Sequence, residues 1–83
     1  MRDIYQAIIL LAMEKLTKRL SRKLKTLRGE RTQREFARKL GISYGSLNRI
    51  EQGTQNITLA TLQIICDHLK CDIDYLFKDD HPH

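Results

Sequence analysis

The chain has 83 residues, the length of one small domain. Its 41 % hydrophobic content argues against disorder, and its one proline, Pro82, leaves the body free of helix breakers. Lys and Arg outnumber Asp and Glu by 15 to 10, for a net charge of +5; the cations crowd between Lys15 and Lys39, whereas acids dominate after Cys66, so one half suits a polyanion or a solvated helical surface.

Residues 3–28 read as one long helix or two abutting ones. Tyr5, Ile9, Ala12, Leu16, Leu20, Leu24 and Leu27 recur every three or four positions and share a face. Ile4, Ile8 and Leu11 form a second stripe, read as lying roughly opposite. A helix apolar on two sides needs a second cover, either from this domain or from another subunit. The run Ile4 to Met13 is too short to cross a bilayer. Asp3, the following Glu14-Lys15 and the lack of a small-x-small cleavage site argue against a secretory signal. A cytoplasmic location is the expectation.

Gly29 ends this helix. Thr32-Gln33-Arg34-Glu35 is a capping box: the Thr32 hydroxyl accepts from the Glu35 amide while the Glu35 side chain reaches back to the Thr32 amide. A second helix then runs from Gln33 to about Leu40, with Phe36, Ala37 and Leu40 inward. Gly41 stops it. Ser43 caps a third helix from Tyr44 to Gln52, with Leu47 and Ile50 inward and Gly53 as its stop. Thr54 to Ile57 is a polar loop. Thr58 caps a fourth helix burying Leu59, Leu62, Ile65, Cys66 and Leu69. Asp72 caps a short last helix carrying Ile73, Leu76 and Phe77. Residues 79–83 read as a flexible tail. Cys66 and Cys71 lie in apolar surroundings without metal-ligand spacing, and read as reduced core thiols. No strand-like alternation occurs, so the class is all-α with five helices.

The segment QREFARKLGISYGSLNRIEQG, Gln33 to Gly53, carries the functional signal. Ala37 is small where two helices cross closely. Gly41, four positions on, supplies a positive φ in the turn. Leu47, six further, fills the space between the helices. This spacing suits a helix-turn-helix whose second helix protrudes at its N-terminal end, shaped for a major groove.

With its flanking helices the segment resembles the phage-repressor and Cro (XRE-type) family of DNA-binding domains. The matching residues are Leu24…Leu27-Arg28, Thr32-Gln33, Phe36-Ala37…Leu40-Gly41-Ile42-Ser43, Leu47…Arg49-Ile50-Glu51…Gly53, Ile57-Thr58-Leu59…Leu62 and Asp72 to Phe77. The resemblance implies a five-helix repressor-like domain over 18–78, preceded by an N-terminal helical extension, 1–17. It implies that Tyr44, Gly45, Asn48 and Arg49 face the bases. Arg49 is the best reader, because its fork takes guanine O6 and N7 together, worth about 1–3 kcal/mol of discrimination. Asn48 pairs with adenine or reaches a phosphate; Tyr44 packs on a thymine methyl or touches the backbone. Gln33, Ser43, Ser46, Gln52, Thr54, Gln55 and Asn56 are implied phosphate contacts, which position without reading sequence. Arg28 and Glu51 are implied to pair as a structural salt bridge. Three features depart from the family pattern: a shorter turn at Gly29 to Arg31, a glycine at position 45 of the reading helix, and the N-terminal extension.

No nucleophile–base set, phosphate loop or carboxylate pair converges, so catalysis is not expected, and no cofactor or metal is implied. The reading is a sequence-specific double-stranded-DNA-binding transcriptional regulator, a repressor, acting as a homodimer through Ile4, Ile8 and Leu11. The family's last helix, here Asp72 to Phe77, is the other candidate for that contact. The alternative function is an antitoxin-like or accessory module that binds a protein partner through its N-terminal helix.

Overall fold

A computed structural model of the chain describes residues 2–53 and 57–78, with the side chains of Arg2 and Glu14 left out. It contains α1 (Arg2–Arg28), α2 (Gln33–Leu40), α3 (Tyr44–Glu51), α4 (Leu59–Leu69) and α5 (Ile73–Phe77), and no strand among the described residues. The fold is all-α. Helix α1 is one continuous element of 27 residues, about 40 Å at 1.5 Å per residue. It accounts for the 45 Å long dimension of the molecule.

The caps explain where the shorter helices begin. Thr32, Ser43 and Thr58 each hold an extended backbone, and each side-chain oxygen accepts a 3.1 Å bond from the amide three residues on. Only half of the expected capping box is made, because no bond from the Glu35 side chain returns to Thr32. Asp72 occupies the cap position of α5 but makes no side-chain cap bond, contrary to expectation. Between α2 and α3, Gly41 adopts φ +76°. Its amide donates to Arg38 O at 3.2 Å, and that of Ile42 donates to Ala37 O at 3.1 Å. These two bonds are a Schellman closure, which requires a left-handed residue. A Cβ at Gly41 would also strike the imidazole of His68 on α4. Lys70 ends α4 in the same left-handed region, at φ +54°.

Helix α1 packs against α3 and α5, α2 against α3 and α4, and α4 against α5. Leu20, Leu24, Phe36, Leu40, Leu47, Ile65 and Leu76 are completely or almost completely enclosed. Each such side chain stabilises the fold by roughly 1.5–3 kcal/mol through removal from water. One residue assigned inward from sequence lies outside: Leu59 is 80 % exposed; Ile73, at the start of α5, is likewise 49 % exposed. Both occupy the first turn of their helices, where the chain has just arrived from a loop and has no facing helix. Cys66 and Cys71 are free thiols, the first buried and the second half-buried. Burial, then the neighbouring Cys66, pushes the Cys71 thiol up from its ordinary value, which keeps it protonated near neutrality.

The body begins at Thr17, the first buried residue of α1 among those described. Ahead of it, Ile4, Tyr5, Ile8, Ile9, Leu11 and Leu16 are 44–69 % exposed. No other part of the described chain covers them. In a continuous helix the two apolar stripes are centred about 100° apart, because each residue advances about 100°. They are adjacent faces, which corrects the sequence reading of opposite ones.

Candidate nucleic-acid interface

Helix α3 is presented by its attachments. Leu47 and Ile50 are buried against the core, which turns the other side of the helix outward. Its C-terminal end is held to α1 twice. Ser21 Oγ donates to Glu51 O at 2.7 Å within the interior. Arg28 grips the Glu51 carboxylate with Nε, at 3.2 and 3.1 Å from its two oxygens, and with Nη2 at 2.9 Å. The Glu51 side chain is 3 % exposed and that of Arg28 26 %, so the carboxylate depends on this partner more than the guanidinium does. Arg28 Nη1 also donates to Arg31 O at 3.1 Å, bracing the short turn before α2.

The outward face carries the expected readers. Tyr44, Gly45 and Arg49 are exposed and Asn48 is half-buried. Open space surrounds the position of a Cβ at Gly45, and its φ is not positive. Nothing in the folded chain therefore calls for glycine there, although glycine costs a helix about 1 kcal/mol relative to alanine. The Tyr44 ring is stacked by the Arg34 guanidinium from the first turn of α2, 4.8 Å from the ring centroid. Such a cation–π contact fixes the ring at the lip of the reading face. Sequence spacing gave no sign of this pair, since the two residues meet only when α2 and α3 cross.

The polar residues flank this face. Gln33, half-buried, opens α2. The Ser43 hydroxyl caps α3 and also donates to Ser46 Oγ at 2.9 Å, so its first use is structural. Gln52 is the exposed C-cap of α3. Thr54, Gln55 and Asn56 lie outside the described residues. Beside Gln52 and Gly53 runs an open groove of about 450 Å³, whose wall on α1 carries Lys18, Arg22 and Lys25. All three cations are exposed and recur at helical spacing. Sequence reading noted their charge but not the groove, which exists only once α1 lies along the end of α3. Lys23 departs from the basic surface, since it is buried with its Nζ 4.7 Å from the Tyr75 ring centroid. Donors on both sides of a protruding helix, with an Arg on its face, suit an anionic polymer laid across α3.

No cluster of metal-ligating side chains occurs among the described residues, and no described helix is long and apolar enough to cross a membrane. Residues 19–76 match a family model described as Helix-turn-helix. No curated protein and no solved structure matches the chain.

Proposed function

The chain belongs to the XRE-type helix-turn-helix family of DNA-binding transcriptional regulators, and from that membership we propose that it is a repressor acting as a homodimer on double-stranded operator DNA. Helix α3 enters the major groove. Arg49 reads guanine, Asn48 and Tyr44 read or brace neighbouring positions, and Gly45 lets the backbone approach the base edges closely. Gln33, Ser43, Ser46 and Gln52, with Thr54, Gln55 and Asn56, hold flanking phosphates; Lys18, Arg22 and Lys25 extend that hold along α1. The observation that carries this reading is the exposed first turn of α3, with Tyr44 clamped by Arg34 and bare space at Gly45. The dimer forms through Ile4, Ile8 and Leu11, and places two reading helices on two half-sites.

A duplex selected from random DNA for binding tests the proposal in a mobility-shift titration. Affinity should fall steeply with salt, because each neutralised phosphate releases counterions. Arg49→Ala should cost about 1–3 kcal/mol and relax preference at one base pair, whereas loss of a phosphate contact weakens binding to all sequences alike. An Arg49→Ala protein that keeps full sequence preference would remove Arg49 from the reading role.

The exposed apolar half of α1 supports a second reading, an accessory or antitoxin-like module whose N-terminal helix docks on a different protein. Association that is insensitive to salt and independent of DNA favours that reading.

A further inference from the structure

Tyr44 stands at the first position of α3, ahead of Leu47, the first residue that anchors this helix in the core. Its side chain is 43 % exposed, and its hydroxyl makes no hydrogen bond among the described residues. A large ring in that place would ordinarily be left to change rotamer. Here the Arg34 guanidinium lies over it, 4.8 Å from the centroid. Arg34 belongs to the first turn of α2, a helix fixed to the body by buried Phe36, Ala37 and Leu40. The contact therefore ties an exposed reading-face ring to a rigid neighbour.

Arg34 is exposed, and the ring is its only polar or charged engagement among the described residues. Its N–H donors remain open while its carbon sits on the tyrosine. That divides the work at the lip of α3. A phosphate reaching this place takes the cation and its fork of donors in preference to a phenol. The tyrosine is left with what it offers besides its hydroxyl, an apolar ring in water. In the major groove the one apolar group that a base pair shows is the 5-methyl of thymine. Asn48 and Arg49 sort donors from acceptors and do not register a methyl. Gly45 puts no side chain beside the ring, so nothing from that position hinders a base edge.

We propose that Arg34 is a positioning residue for base recognition, which holds Tyr44 as a fixed apolar reader of one thymine methyl in each half-site. The inference rests on the DNA-reading role proposed above and deepens it. A ring already in place is not ordered at the moment of binding, so contact with the methyl is not offset by lost side-chain freedom. Arg34 itself faces the phosphate of the same lip and reads no base.

Deoxyuridine in place of thymine tests this, because it removes the methyl and keeps every donor and acceptor. Each thymine of a duplex selected for binding is replaced in turn, and affinities are compared within each protein. For the wild type, one replacement per half-site should weaken binding about fourfold, the factor that burying one methyl group supplies. Tyr44→Phe should keep that ratio and Tyr44→Ala should abolish it. Arg34→Ala should weaken binding to all sequences through the lost phosphate contact, and should also remove most of the thymine-to-deoxyuridine ratio. Loss of a phosphate contact alone leaves such a ratio unmoved. A full ratio in Arg34→Ala would overturn the positioning role, and loss of the ratio in Tyr44→Phe would assign the effect to the hydroxyl. A wild type indifferent to every replacement, yet still dependent on Arg49 for its sequence preference, would overturn this inference and leave the DNA-reading role standing. Failure to select any duplex would overturn both.

Discussion

The two halves of α1 make the most instructive contrast in the molecule. They are one helix with one periodicity. In the half from Thr17 onward, Leu20 and Leu24 have no exposure at all, enclosed by α3 and α5. In the half before it, residues of the same type at the same spacing remain about half exposed. Apolar recurrence thus specifies a face to be covered and is silent on whether the cover lies in the same chain. A pair of glycines repeats the contrast on a smaller scale. Gly41 is accounted for by its left-handed backbone and by His68 against it, whereas Gly45 answers to nothing inside the chain. Each unexplained member of these pairs lies on the outside, and the proposed function gives one to the dimer contact and the other to DNA.

The contrast can be broken at several points, and the body should give the largest effect. Arg28→Ala leaves the enclosed Glu51 carboxylate without its cation and should destabilise the fold by about 3–5 kcal/mol in chemical denaturation. Glu51→Ala should cost less, because the partly exposed Arg28 regains water, and it should lower stability before it lowers DNA affinity. Equal losses for the two variants would show that burial does not distinguish the partners.

Leu24→Ala should cost about 2–5 kcal/mol at any protein concentration, through lost burial and the cavity left behind. Ile8→Ala should cost under about 0.5 kcal/mol in dilute protein. Its effect should grow with concentration, since it weakens association and leaves the body's packing intact. An Ile8→Ala penalty that is large and independent of concentration would mean that the projecting half packs within its own chain.

The smallest expected change separates the glycines. Gly45→Ala should raise stability by up to about 1 kcal/mol and weaken operator binding, while Gly41→Ala should lower stability. Gly45→Ala with unaltered affinity would remove the close-approach role from that position.

Much of the body was legible in the sequence. Thr32, Ser43 and Thr58 announce helix starts, and Gly29 and Gly41 announce stops, because capping and left-handed turns are local chemistry. The Ala37–Gly41–Leu47 spacing announced the helix crossing for the same reason. Contacts made across helices were not legible. The Arg34–Tyr44 stack, Lys23 under Tyr75, His68 over Gly41 and the cationic groove beside Gln52 all depend on crossing angles and on the order of packing, which residue spacing does not encode. The left-handed Lys70 escaped because a lysine rarely marks such a stop, even though local bonds from the Lys70 and Cys71 amides to Cys66 O form the cap. Leu59 was misplaced because helical periodicity does not reveal that a first turn has nothing facing it.

The unbroken course of α1 from its bare half into the body has a mechanical consequence. With no hinge between the two, α1 is a shaft whose angular phase is locked to the reading head. Adding a single residue between Lys15 and Leu16 would turn the head by about 100° and shift it by about 1.5 Å relative to whatever grips the shaft. In the proposed dimer, the length of this segment, and not only its composition, would set which separations and rotational phases of DNA sites the two heads reach together.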